Sequence, residues 1–259
     1  MDNTKAKTVE KALAIIEYLL KNEETKGITN IAKDLKINTS TVQRIVNTLH
    51  GENYLYQDSS SRKYKLGLKF LEISKNILKE IDLRRIASPY LRELRDQTGE
   101  TVHLMVLDDS VGVYIDALES LQKTRVVSLI GTRDDLHCSA VGKAILAYLS
   151  DSEVERIAKI RGLRKITHKT ITNLNLLKEE LKKIRNQGYS IDDEEGEVGT
   201  RCIGAPIFRH NGQVNASISL AAPSNRLPMK KTQEYVPLMI ETAKKISKDL
   251  GYINNLHFV

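Results

Sequence analysis

A chain of 259 residues, 41% hydrophobic and 28% charged, is long enough for one or two domains and apolar enough to bury a core, which excludes a mainly disordered chain. Its formal net charge of +7 fits a polyanionic partner and fits lysine enrichment for solubility equally well. Two cysteines, Cys138 and Cys202, are too few for a disulfide framework and point to the cytoplasm, while no apolar run reaches the ~20 residues that span a bilayer, so no membrane partner is expected.

Val9, Leu13, Ile16 and Leu20 recur at helical spacing and predict a first helix, with Thr8 as its cap. The apolar face is interrupted by Lys11 and Glu17, which argues against a signal peptide. After Gly27, a second helix runs from Thr29 to Leu35 with Ile31 and Ala32 on its apolar face. A break at Lys36-Ile37-Asn38 follows, and Lys36 stands where a left-handed backbone and glycine are common. A third helix is expected from about Ser40 to Gly51, capped by Thr39 or Ser40 and packed through Val42, Ile45, Val46 and Leu49. Two helices around a tight turn form a helix-turn-helix. Tyr54-Leu55-Tyr56 and Tyr64-Lys65-Leu66 alternate around a polar tip, Asp58 to Lys63, and predict a β-hairpin. Helices followed by a hairpin make a winged helix-turn-helix over residues 1–67.

A linker helix is expected over residues 68–82, with Leu68, Leu71, Ile77 and Leu78 apolar. From residue 83 to 259 helices and strands mix. A helix ends at Gly99; strands are expected at 101–108, 111–118 and 125–130. Helices are expected at 138–149, 152–162, 174–188 and 230–250. Two strands flank the turn His210-Asn211-Gly212-Gln213. Such an order suggests an α+β domain around a largely antiparallel sheet.

A recognition helix sets its first turns against base edges in the major groove. The outward candidates are Thr39, Ser40, Thr41, Gln43, Arg44 and Asn47. Gln pairs with adenine and Arg with guanine in bidentate fashion. Arg62 and Lys63 at the wing tip can reach backbone phosphates, which supply most of the affinity. Double-stranded operator DNA is therefore the expected partner.

These segments converge on a family. The chain resembles the IclR-type transcriptional regulators through STVQRIVNTL and YKLG in the first half. The second half matches through HCSAVGKAILAYL, GYSIDDEEGEVGTRCIGAPIF and ASISLAAP. The resemblance implies a homodimer or homotetramer, and a GAF-like carboxy-terminal domain, 83–259, that binds an effector and mediates oligomerisation. Small organic acids and aromatic compounds are the implied effectors. Carried over position by position, the implied pocket comprises Ala140 and Val141, whose backbone N–H groups hold a carboxylate, with Asp192, Cys202 and Ser219. Ala221 falls where some members have a second hydroxyl, and Gly204 where alanine is more usual. A helix start favours anions, and Asp192 beside an anion must accept a hydroxyl or carry a proton, which suits a hydroxy, keto or sugar-derived acid.

Other function classes have weaker support. His103, His137, His168, Cys138 and Cys202 offer nucleophile and base types, but no nucleophile elbow or phosphate-cradling loop accompanies them, so no catalytic residue is assigned. Cys138, Cys202, His137 and Asp192 have zinc-ligand chemistry at scattered spacing, and neither a metal nor another cofactor is expected. A ligand-independent architectural DNA-binding protein is the alternative to an effector-controlled regulator.

Overall fold

Helix α1, Lys7–Lys21, carries apolar residues on more than one side, and packing chooses among them. Ile15 and Leu19 enter the core, whereas Val9, Leu13 and Leu20 stay exposed, so the predicted face is corrected by about a quarter turn. Ala6 occupies the cap position, and Thr8 lies inside the first turn instead of capping it. In this computed structural model residues 6–22, 24–73 and 82–252 are described. The chain separates into two compact units, Met1–Ile81 and Asp82–Val259.

In the first unit α2, Ile28–Leu35, buries Ile31 and Ala32. It stops because Lys36 turns into the left-handed region, φ +54° and ψ 42°, letting the Ile37 N–H reach the Ala32 carbonyl at 3.0 Å. A side chain is strained there, so Lys36→Gly is expected to stabilise this unit by about 1 kcal/mol, measurable as a raised denaturation midpoint. Helix α3, Thr39–Gly51, buries Val42, Ile45 and Val46 against α1, α2 and the wing residues Leu55 and Tyr64. Asn38, and neither Thr39 nor Ser40, holds the cap position, and no side chain bonds the helix start. The wing pairs β1, Leu55–Gln57, with β2, Tyr64–Leu66. Lys26 adds a short third edge through reciprocal 2.9 Å bonds with the Tyr64 backbone. Of the expected linker helix, residues 69–73 are helical, and 74–81 lie outside the described residues.

The second unit is built on a six-stranded antiparallel sheet. Its strands are β3 (Thr101–Asp108), β4 (Val111–Leu118), β5 (Arg133–Asp134), β6 (Ser190–Asp193), β7 (Thr200–Phe208) and β8 (Val214–Pro223). Their spatial order is β5-β4-β3-β8-β7-β6. Helices α4 (Asp82–Thr98) and α8 (Met229–Asp249) pack on each other and on the sheet. Helices α5 (Ala140–Leu146), α6 (Asp151–Arg161) and α7 (Leu174–Gln187) share a core with Met105 and Tyr114. Strand alternation sends Val102, Leu104, Ile218 and Leu220 to the other face, completing three layers. No described helix is long and apolar enough to cross a membrane.

The strand expected at 125–130 is absent. Val127, Leu129 and Ile130 are exposed, and the segment is tied down by single contacts, such as Thr101 Oγ1 donating to the Val126 carbonyl at 2.8 Å. Branched side chains favour extended backbone, but a strand also needs a neighbour's ladder, and β4 pairs instead with β5.

Register positions the candidate site residues. Asp192, Cys202, Ala221 and Thr101 form one row across β6, β7, β8 and β3. Ser190, Gly204, Ser219 and His103 form another row, two residues along. Helix α5 begins directly over these rows. Ser190 Oγ donates to the Ala140 carbonyl and Ser217 Oγ to the Val141 carbonyl, both at 2.6 Å. A Cβ on Gly204 would sit 2.5 Å from the Ala140 carbonyl oxygen, so the missing methyl lets the helix start approach the sheet.

Candidate functional site

A cavity of roughly 200 Å³ lies between the start of α5 and the sheet. Ala140, Val141, Asp192, Cys202, Ser219 and Ala221, the six positions singled out in the sequence, all line it. His103, considered in the sequence only as a nucleophile or base type, lines it as well, as do Tyr114, Asp134 and Arg164, of which local sequence patterns gave no sign. Val127, exposed, and the half-buried Val126 and Ser128 line one side. Helix α5 is preceded by a single 3-10 turn, Leu136–Cys138, and Ser139 caps it by accepting from the Gly142 N–H at 3.2 Å.

Burial governs the electrostatics. Asp192 is 4% exposed, and desolvation raises its carboxyl to about 7 despite the Glu195 N–H donating to Oδ1 at 2.7 Å. Asp134 is also pushed up by burial, with the Asp135 charge adding to the effect. Asp192 can therefore hold a proton near neutrality and donate to a ligand oxygen. Asp135 behaves differently: its two oxygens accept from Arg161 and Arg164, and those cations hold it below the usual range against its own desolvation. Burial raises the Cys138 thiol to about 12 and the Cys202 thiol well above its ordinary value, so neither is a thiolate nucleophile at neutral pH. His137 bonds the Arg164 carbonyl at 3.0 Å and does not join Cys138, Cys202 and Asp192 at the cavity. Among the described residues no three His, Cys, Asp or Glu side chains are grouped to hold a metal ion.

One wall depends on a buried cation. Lys143, 0% exposed on α5, pairs closely with Glu195 and lies 3.9 Å from Glu180. Glu195 belongs to the turn whose next residues, Gly196 and Glu197, line the cavity. Its carbonyl accepts from Thr170 Oγ1 at 2.7 Å. Its Oε2 is buried with no hydrogen-bond partner among the described residues.

In the first unit Thr39, Ser40, Gln43, Arg44 and Asn47 are exposed along α3, with Thr41 half-buried. Gln43 Nε2 donates to Asn47 Oδ1 at 2.9 Å, so the two amides orient one another one turn apart. At the wing tip Asp58 Oδ1 accepts from the backbone N–H and hydroxyl of both Ser60 and Ser61. These bonds, the Ser60 hydroxyl foremost, hold its carboxyl far below the usual range. Arg62 takes a left-handed φ of +57°, and the Arg62 and Lys63 side chains are exposed.

Two family models match. The IclR helix-turn-helix domain covers residues 8–59, and the bacterial transcriptional regulator IclR C-terminal domain covers residues 75–248. The HTH-type transcriptional regulator KdgR of Escherichia coli K12 is 37% identical over 245 residues, covering 95% of this chain and 93% of that protein. The crystal structure of Thermotoga maritima IclR is 36% identical with a TM-score of 0.81, covering 95% of this chain and 99% of that one. An IclR homologue from Microbacterium hydrocarbonoxydans, crystallised with 4-hydroxybenzoate, shares the fold at a TM-score of 0.82 and 20% identity, over 94% of this chain and 98% of that one. The family described by both models is one of transcriptional regulators, not of enzymes. With the helix-turn-helix and the carboxy-terminal domain matched in the same order along nearly its whole length, this chain belongs to the IclR family of transcriptional regulators.

Proposed function

We propose that this regulator binds operator DNA in the cytoplasm as a homodimer or homotetramer. In this reading its grip on DNA is set by a small carboxylic acid, bearing hydroxyl or keto groups, held in the cavity under α5. The supporting observation is the lining itself. Backbone N–H groups of Ala140 and Val141 precede any intrahelical acceptor, and Asp192, Ser219 and Cys202 stand opposite across the sheet rows. Asp192 near 7 resolves the conflict between an acidic residue and an anionic ligand, because a protonated carboxyl donates to the ligand instead of repelling it. The related protein crystallised with 4-hydroxybenzoate holds a ligand of this chemical class.

Only a ligand that binds two arrangements of the protein unequally can change its affinity for DNA. Footprinting on promoter fragments, with and without hydroxy and keto acids, tests the proposal. Protected half-sites about one helical turn apart, whose protection changes with one acid, support it. Loose binding that no acid alters favours an architectural protein instead. In α3 the Arg44 carbonyl accepts from Thr48 Oγ1 at 3.0 Å, while its exposed guanidinium makes no hydrogen bond or ion pair with another described residue. Arg44→Ala is expected to weaken operator binding about 10-fold or more, as loss of a base or phosphate contact does, with ligand affinity unchanged. A gel-shift titration beside calorimetry of the same variant checks both halves.

A further inference from the structure

One side chain that lines the cavity has a buried polar atom that no described residue satisfies. His103 sits in the middle of β3, 2% exposed, opposite Ser219 on β8. Its Nδ1 is 3.4 Å from Ser219 Oγ, and its ring lies 5.2 Å from that of Tyr114. Its Nε2 is buried and has no hydrogen-bond partner. Tyr114 and Ser219, the two neighbours of the ring, line the same cavity as His103 itself. A buried polar atom left unpaired destabilises a protein by about 1–3 kcal/mol, so such an atom on a side chain that lines a cavity suits a partner that arrives from outside, with a small ring movement to meet it.

We infer that His103 is a ligand-contacting residue that selects acids bearing a hydroxyl away from the carboxylate, the hydroxyl completing the hydrogen bonding of Nε2. Burial pushes the imidazole down to about 4, so the ring is neutral in use. A neutral imidazole presents one donor and one acceptor nitrogen. Whichever tautomer Ser219 selects at Nδ1, a hydroxyl can match Nε2, since it both donates and accepts. An alkyl or unsubstituted aryl group can do neither, and would keep the orphan buried. Sites built to bond a hydroxyl reject the analogue lacking it far more strongly than apolar pockets reject a missing methylene. The inference rests on the reading of the cavity as a carboxylic-acid site and adds the selection among acids.

The test uses matched acids: glycerate with propionate, gluconate with hexanoate, and 4-hydroxybenzoate with benzoate. Each is titrated calorimetrically into the full-length protein and into H103F and H103Q. Wild type is expected to bind one hydroxylated acid at least about 10-fold more tightly than its deoxy partner. H103F should bring that ratio to within about threefold, chiefly through weaker binding of the hydroxylated acid, and H103Q should keep most of the preference. A preference that survives in H103F, or a wild type that binds acids without preferring the hydroxylated member, overturns the role of His103 and leaves the acid site standing. If no acid binds wild type, the acid site itself falls and this inference with it. A second measurement needs no variant. In protein labelled with ¹⁵N-histidine, one of the six histidines should show a ring-nitrogen shift with the hydroxylated acid and not with its partner. Equal shifts with both acids count against the inference.

Discussion

Lys143→Met is expected to destabilise the carboxy-terminal unit by about 3–5 kcal/mol at pH 8, the usual cost of leaving a buried charge without its partner. Lys143 is fully buried, and its close contact is Glu195, itself 8% exposed with one oxygen already unpaired. Without the ammonium group Glu195 must either remain a buried anion or take up a proton. Burial already raises its carboxyl above the ordinary value with Lys143 present, and removing the cation raises it further. A carboxyl whose folded pKa lies above its unfolded pKa contributes stability at low pH and loses it as pH rises through the folded value. The deficit should therefore be small near pH 5 and grow toward pH 8. Adding Glu195→Gln should recover much of it, because the stranded charge is gone. Thermal melts of wild type, single and double variants across that range make the comparison. A deficit independent of pH would mean that lost packing, not the stranded carboxylate, causes the damage. Ligand affinity should fall with stability, since the Glu195 turn also carries Gly196 and Glu197 into the cavity wall.

Affinity for a carboxylic acid is expected to fall by up to about tenfold per pH unit above pH 7, as Asp192 ionises beside the anion. Below that value the carboxyl is neutral and donates. Above it, binding must take up a proton or accept repulsion. Several neighbours face the same space. Lys143 and Glu195 act on Asp192 with opposite signs, His103 near 4 stays neutral, and the thiols of Cys138 and Cys202 stay protonated. Asp134, also raised by burial, is a rival group, and the Asp135 and Glu197 carboxyls line the cavity too. Asp192→Asn should flatten the profile and keep binding, while Asp134→Asn should leave the slope in place. Asp192→Ala should weaken the ligand response and spare DNA binding. Calorimetry in buffers of different ionisation enthalpy would register proton uptake near pH 7.5. An unchanged slope in Asp192→Asn would remove Asp192 from the ligand. The same shift predicts that the unliganded protein loses stability as pH rises from about 4 to 7, because the unfolded chain releases this proton first.

Much of the architecture was legible from local order. Ile31, Ala32, Val42, Ile45 and Val46 announced the two helices of the DNA-reading unit, because helical periodicity and a short break are properties of neighbouring residues. The strong turn at 210–213 announced the β7–β8 hairpin in the same way. The family resemblance picked out Ala140, Val141, Asp192, Cys202, Ser219 and Ala221, residues far apart in the chain that periodicity would never have joined.

Other features waited on tertiary contacts. Helix α1 offers several apolar stripes, and only packing against α2, α3 and the wing selected Ile15 and Leu19. Residues 125–130 have strand-forming side chains but no partner ladder, so propensity alone misled. His103 looks like any strand residue until register sets it opposite Ser219, 116 positions away. Lys143 and Glu195 stand 52 positions apart, and their pairing follows from the approach of α5 to the sheet that Gly204 permits. Amino-acid order by itself determined which segments coil and which extend, since that depends on bonds and sterics within a few residues. The tertiary structure decided which faces are buried and which charges meet, because desolvation and long-range pairing exist only once distant segments share a dry space.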